Sequence, residues 1–425
     1  FVRGFFERQR MKIQSIRSTF TFYVIIVFFI GVGLISSCGK TNEDSPEKTL
    51  DAPHLQGDTN QETGNKAQLI EPDPSDTLVK IGVVGAHSGE LAPYGIPTLN
   101  AVKMVVDEIN HKGGFLGKKI KVISADDTCS PSVASQKAEQ MIREKVVAVI
   151  GHTCSSSTLS ALPFYNKSGV LCISPSATNA DLTLSGKYPY FFRSVANDKI
   201  QAKVQVDFAI HRLHSQKAAI LYVKDDYGKG MASLARQYFE ESGLVTVTLF
   251  ESVTQGLSDF SQVVEKIKKS GSDLVVWEGY YPEAFLLIKQ MRSKNIKASL
   301  IGSDGIHVDK FITAVREWPE DIYATSPQGW EKKNIIAIKA INDYKARFGS
   351  DPGPFFINAY SSAMALTNAM KRSESTECSD LAKTLRSEFV DTPLGRISFD
   401  EKGDVVGTSF SVYQLKDGRF KEVWP

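Results

Sequence analysis

GHTCSSSTLSALPFYNKSGVLCISPSATNADL, residues Gly151 to Leu182, sets two polar turns about twenty residues apart, each directly after an apolar run. Val146 to Ile150 precede the first turn and Val170 to Ile173 the second, and both runs read as strands. Each turn then opens a helix. In an open parallel sheet such strand-to-helix turns line up along the carboxyl edge, where ligands settle. Free backbone N–H groups and the helix dipole there favour a carboxylate or a phosphate. Ser155, Ser156, Ser157, Ser176 and Thr178 add hydroxyls at the same place. Ser and Thr are also preferred N-caps, so one such turn decides nothing. Two at neighbouring strand ends point to a site for a small anion.

Working outward, strand and helix alternate on both sides of this segment. Val79 to Gly85 is a strand, Pro97 to His111 a helix with Leu99, Val102, Val105, Val106 and Ile109 on one face, Lys119 to Ser124 a strand and Ser132 to Lys145 a helix. After Asn197 the rhythm resumes with helix Lys199–Leu213, strand Ala218–Val223, helix Gly230–Ser242, strand Val245–Phe250, helix Asp259–Lys269 and strand Asp273–Trp277. Helix Glu283–Lys294, strand Ser299–Gly302, a short helix near Lys310 and strand Asp321–Thr325 follow. Such alternation implies an α/β protein built on two doubly wound parallel sheets. After Asn334 the pattern changes to three helices ending near Val390, then to hairpin-like strands with turns at Asp400–Gly403 and Lys416–Gly418. The stretch from Leu78 onward exceeds what one core usually supports, so two lobes are expected.

The start of the chain carries an address. Met11 to Arg17 carries Lys12 and Arg17, and Phe20 to Leu34 is an uncharged apolar run, short for a membrane span but right for the h-region of an export signal. Ile35-Ser36-Ser37-Cys38 closes it and resembles the lipobox of bacterial lipoproteins, which implies lipidation of Cys38 and an anchored, periplasmic or cell-surface protein. Residues 1–38 are thus read as the signal segment, and the polar, aperiodic residues 39–76 as a flexible tether. Whole-chain charge is +2; five basic and one acidic residue in 1–37 contribute +4 and leave −2. That balance gives no reason to expect a nucleic-acid partner.

Of five cysteines, Cys38 belongs to the lipobox, and Cys129 and Cys154 sit on strand-end loops of adjacent units, where an exported protein can pair them. Cys172, inside an apolar strand, reads as a buried free thiol, and Cys378, in a polar helix start, has no assigned role and reads as exposed.

The motifs IGVVGAHSGELAPYGIPTLN, DEINHKGGFLGKKI, DDTCSP, GHTCSSST, ISPSATNADLT, DDYGKG, GYYPEA, GSDG and DEKGD, in this order between Leu78 and Gly418, resemble those of the leucine-isoleucine-valine-binding proteins, the type I substrate-binding proteins of branched-chain amino-acid ABC transporters. The resemblance implies two Rossmann-like lobes joined by three crossovers near Val195, Pro327 and Thr408. Residues 77–195 with 328–408 would form the first lobe, and 196–327 with 409–425 the second. It implies a monomer that closes over an amino acid and delivers it to a membrane permease, with no cofactor and no metal. By the same resemblance Ser155 and Thr178 take the ligand carboxylate, and the carbonyl of Ser176, with Thr178, takes its ammonium. Asp304 pairs with the ammonium from the second lobe, where the best-known members carry Glu. Tyr94 and Phe355 wall the ligand side chain from the first lobe and Tyr227 and Tyr280 from the second. A zwitterion needs such a set, because charge-assisted hydrogen bonds hold both of its ends.

Other classes fit less well. Cys154 with His152 suggests a thiol nucleophile and base, and Ser155 to Ser157 a serine nucleophile, yet no Gly-x-Ser-x-Gly elbow occurs. GGFLGKK lacks the spacing and final Ser/Thr of a phosphate loop, and His211 with His214 lack a third metal ligand. A sensor using the same fold, or a binder of another amino acid, an amide or urea, remains consistent with these residues.

Overall fold

The computed structural model describes residues 78–319, 321–329 and 334–425. The export signal, Cys38 and the tether lie outside the described residues. No helix among the described residues is long and apolar enough to cross a membrane.

Strand β1 (Leu78–Gly85) is an interior strand, paired on both sides, of a five-stranded, all-parallel sheet with β2 (Lys119–Asp126), β3 (Ala148–Gly151), β4 (Leu171–Ser174) and β5 (Phe191–Arg193), in the order β2-β1-β3-β4-β5. Ile81, Val83 and Val84 are fully enclosed, which is why β1 reads as a continuous apolar run rather than an alternating one. On one face pack α1 (Ala92–His111) and, much later in the chain, α11 (Phe356–Ser373) and α12 (Cys378–Ser387). On the other face α2 (Pro131–Arg143) and α3 (Ser155–Ser168) bury Met141, Leu162 and Tyr165 against Val84, Val149 and Cys172.

The chain leaves this sheet after Arg193 and enters α5 (Asp198–His211). Strands β6 (Lys217–Val223), β7 (Thr246–Val253), β8 (Leu274–Glu278), β9 (Ser299–Gly302) and β10 (Ile322–Pro327) run parallel in a second sheet. The hairpin β13 (Phe410–Lys416) and β14 (Arg419–Trp424) joins β10 antiparallel and completes seven strands, β14-β13-β10-β9-β8-β6-β7. The second sheet is therefore mixed. Helices α5 and α6 (Asp226–Ser242) cover one face through Val206, Phe208 and Phe239. Helices α7 (Ser261–Ser270) and α8 (Tyr281–Ser293) cover the other, around the fully buried Trp277. The short helices α4 (Asp181–Leu184), α9 (Asp309–Ala314) and the longer α10 (Ile335–Phe348) complete the order, with a small hairpin of β11 (Val390–Thr392) and β12 (Gly395–Ile397) after α12.

Three local differences from the sequence reading bear on the site. Helix α1 begins at Ala92 rather than Pro97. Pro93 stands in its first turn, where a missing N–H costs nothing, and Gly95 packs on the backbone of Ala86, where a Cβ would stand 2.0 Å from the carbonyl oxygen; Tyr94, between them, is buried. Helix α6 begins at Asp226 rather than Gly230 because Asp225 is its N-cap, accepting from Gly228 N at 2.7 Å. The second polar turn opens no real helix: α4 spans four residues. Pro175 interrupts the path, and side chains rather than a helix ladder hold the loop.

Candidate functional site

The first polar turn does lead into a full helix. Ser155 is the first residue of α3, and the intrahelical ladder starts only at Thr158, whose N–H donates to Cys154 at 2.9 Å. The N–H groups of Ser155, Ser156 and Ser157 precede it and face out of the helix end, which carries the positive end of the dipole. The turn is braced from below. His152, fully buried, bonds Asp127 through Nδ1 at 2.6 Å and Tyr165 through Nε2 at 3.0 Å. Asp127 also accepts from Cys129 N at 2.9 Å, and Cys129 is disulfide-bonded to Cys154. His152 and Cys154 are thus structural, and neither stands free as a base or a nucleophile.

The second turn is held by Arg193. Its buried guanidinium donates to Asp404 at 2.5 Å, to the carbonyl of Asn179 at 2.7 Å and to Thr183. Ser176 spends its hydroxyl on Thr153 O at 2.7 Å, which leaves its carbonyl as the group it can offer. The two turns are tied together by Asn179 N, which donates to Ser155 Oγ at 3.2 Å.

Facing these turns from the second sheet, Asp304 follows β9 in a short turn whose Gly305 packs so closely on Gly279 that a Cβ would stand 2.3 Å from its carbonyl oxygen. Asp304 is buried and accepts from the Tyr227 hydroxyl and from Gln201 Nε2 at 3.1 Å. Burial pushes its pKa up, against the pull of those two donors. Tyr280 caps the start of α8 and donates to Asp225 Oδ2 at 3.1 Å; burial in turn pushes Asp225 up to about 6. Tyr94 lies between the sheets, with ring centres 6.3 Å from Tyr280 and 6.5 Å from Phe355, and Tyr227 lies 5.6 Å from Tyr280.

Tyr94, Ser155, Ser176, Tyr227, Tyr280, Asp304 and Phe355 line one cavity. Thr178 does not line it; it stands behind the wall, fully buried, with its hydroxyl unpartnered and its carbonyl accepting from Asp198 N at 2.9 Å. Thr153, Cys154 and Gly305 complete the wall and were not foreseen as lining residues, since each has an ordinary structural reading in sequence. The cavity leaves about 30 Å³ for the centres of water-sized molecules, room for about two waters. Direct bonds close it from the two sides: Tyr94 Oη to Gly305 O (2.6 Å), Tyr281 Oη to Glu90 O (3.0 Å), Asn179 Nδ2 to Asp226 O (2.7 Å) and Asp226 N to Ser156 Oγ (3.1 Å).

Chemically, the wall offers N–H donors and a helix N-terminus on one side, a buried carboxylate opposite, and rings between. That set can hold an anionic and a cationic group of one small molecule at once. Among the described residues no cluster of His, Cys, Asp or Glu has the form of a metal site.

Residues 78–419 match the family model described as periplasmic binding protein. The chain is 33% identical over 337 residues to the leucine-specific-binding protein of Salmonella typhimurium, covering 79% of this chain and 90% of that one. It is 33% identical over 352 residues to the leucine-, isoleucine-, valine-, threonine- and alanine-binding protein of Pseudomonas aeruginosa, covering 82% and 93%. Among solved structures, the branched-chain amino acid transporter substrate binding protein LivJ of Streptococcus pneumoniae, in complex with isoleucine, superposes with a TM-score of 0.73 at 29% identity, covering 82% of this chain and all of that one.

Proposed function

The chain belongs to the periplasmic binding protein family, and from that premise we propose that it is an extracytoplasmic binding protein for an aliphatic amino acid, serving an ABC transporter. The observation that carries the reading is the cavity itself, in which a helix N-terminus faces a buried carboxylate across four aromatic rings. The carboxylate of the ligand sits on the N–H groups of Ser155 and its neighbours, and its ammonium lies between the Ser176 carbonyl and Asp304. Tyr94, Tyr227, Tyr280 and Phe355 enclose the side chain, where one methylene is worth about 1–3 kcal/mol.

A cavity with room for about two waters is too small for a leucine to enter unaided. The ligand therefore enters when the two sheet-bearing halves part, with 77–195 and 328–408 on one side and 196–327 and 409–425 on the other. Groups from both halves then engage it, and that shared engagement shifts the population to the closed form. The closed form is the one a membrane permease would receive, with the chain acting as a monomer tethered through Cys38. The binding of a zwitterion by charge-assisted hydrogen bonds needs no catalysis.

A thermal-shift panel on the full chain tests this, with the twenty amino acids, several amides and urea. A true ligand at 100 times its dissociation constant adds about 2.7 kcal/mol of stability. Stabilisation by leucine, isoleucine or valine supports the reading; stabilisation by amides or urea alone would overturn the zwitterion assignment.

A further inference from the structure

A second cavity lies between the two sides, beside the bond from Tyr281 to Glu90. Ser88, Glu90 and Thr128 line it from the loops after β1 and β2, and Gln255 and Glu283 line it from the segments after β7 and β8. It leaves about 190 Å³ for the centres of water-sized molecules, several times the room of the cavity between the aromatic rings.

Glu283 is the group that this cavity leaves unexplained. The residue is 3% exposed, although a glutamate is seldom buried without a cationic partner. Its Oε1 accepts from Gly256 N at 2.7 Å, and its Oε2 has no hydrogen-bond partner. It stands in the first turn of α8, where the helix dipole favours an anion. Among the described residues no Lys, Arg or His lines the cavity with it. What faces it from the other side is a second carboxyl, that of the exposed Glu90, whose backbone carbonyl accepts from Tyr281 Oη at 3.0 Å. Burial pushes the Glu283 pKa up and Glu90 adds to the rise. Closing the two sides therefore brings like charges together while it removes water from between them, and this opposes closure unless a positive charge enters as well.

The donors fit one kind of positive charge. Two carboxyls, two hydroxyls and a side-chain amide are hard oxygen groups, which suit a divalent cation of the calcium or magnesium class. A pair of carboxyls falls short of a cluster of three acidic or imidazole ligands, so the ion keeps part of its water shell, for which the cavity has room. We propose that this cavity is a cation site, in which Glu283 and Glu90 hold one hydrated divalent ion between the two sides. Because the two carboxyls come from opposite sides, the ion binds the closed form in preference to the open one, and by linkage it tightens the hold on the amino acid. The ion site stands on this cavity; its coupling to the amino acid rests on the reading above.

The test is calorimetry on the full chain after treatment with EDTA, titrated with calcium chloride and with magnesium chloride, and then with leucine in the divalent salt or in sodium chloride of equal ionic strength. The expected result is saturable binding of one divalent ion per chain, lost in Glu283→Gln and weakened in Glu90→Gln. Glu90 is exposed, so its variant carries the test should the Glu283 variant fail to fold. With the ion at about ten times its dissociation constant for the closed form, leucine should bind about tenfold more tightly than in sodium chloride. Absence of binding by either divalent ion, or binding that survives unchanged in both variants and so sits on other acidic residues, overturns the site. Ion binding that leaves leucine affinity unchanged overturns the coupling. Ion binding lost in Glu283→Gln, in a protein that gives no heat with any amino acid, supports the site and overturns the amino-acid reading alone.

Discussion

Replacing Asp304 by Asn removes a charge and keeps a shape. Asp304 is buried and engaged by Tyr227 and Gln201, and an Asn carbonyl can still accept from one of them, so the local fold retains its contacts. What is lost is the anion facing the ligand's ammonium. A hydrogen bond to a charged group contributes about 1.5–3 kcal/mol, and stripping one partner from a buried ion pair costs about 3–5 kcal/mol. Because the Ser176 carbonyl remains as an acceptor, the lower end applies, about 2–3 kcal/mol, or about 30- to 150-fold in dissociation constant. The empty protein should not suffer. Burial holds the Asp304 pKa above its unfolded value, so the ionised group weakens the fold as pH rises, and Asn removes that penalty. Leucine calorimetry paired with thermal unfolding in the absence of ligand reads both effects. A folded Asp304→Asn protein that binds leucine within threefold of the parent would refute the ammonium assignment.

Other outcomes follow from the same geometry. The raised pKa values of Asp198, about 8, and Asp225, about 6, mean that the folded, empty protein holds protons the unfolded chain has lost above about pH 4. Its stability should therefore fall as pH rises from about 4, by up to about 1.4 kcal/mol per pH unit for each group over its own interval, which closes near pH 6 for Asp225 and near pH 8 for Asp198, and Asp198→Asn should flatten the pH 6–8 part in denaturant titrations. Replacing Cys129 and Cys154 by Ser opens a link across 25 residues and should cost about 3.5 kcal/mol in the chain-entropy model, measured by urea unfolding under non-reducing conditions. Asn179→Ala, which deletes the bond to Asp226 between the two sides together with the Asn179 side chain's acceptor for Asp181 N, should weaken leucine binding about fivefold and enlarge the radius of gyration in small-angle scattering; unchanged affinity would remove the Asp226 bond from the closing set.

Much of this was legible in the residues. The buried parallel strands announce themselves as short apolar runs, and GHTCSSST after one of them marks a helix N-terminus at a sheet edge, which is where Ser155 stands. What stayed hidden has a common physical cause: side chains meeting across long sequence separations. Nothing local in Asp127, His152 and Tyr165 shows that they form one buried network beneath that turn. Nothing near ISPSAT shows that Arg193 and Asp404 would hold the loop in place of a helix, which is why the expected second helix shrank to one turn. The antiparallel hairpin at the end of the second sheet was legible as a hairpin but not as an edge of that sheet, because its partner strand β10 lies far back in the chain. Cys378 opens a helix with a polar face yet packs into the core under the first sheet, since only one side of α12 is exposed. Asp198 looked like a helix-start residue and is one; its complete burial beside Thr178 is visible only in three dimensions.

The most direct test of the central claim is a calorimetric titration of the full chain with leucine, isoleucine and valine at pH 7. The account predicts saturable one-to-one binding of at least one of them, weakened about 30- to 150-fold by Asp304→Asn and kept on substitution of an exposed residue such as Lys268. A correctly folded protein that shows no binding heat with any of the three would contradict it.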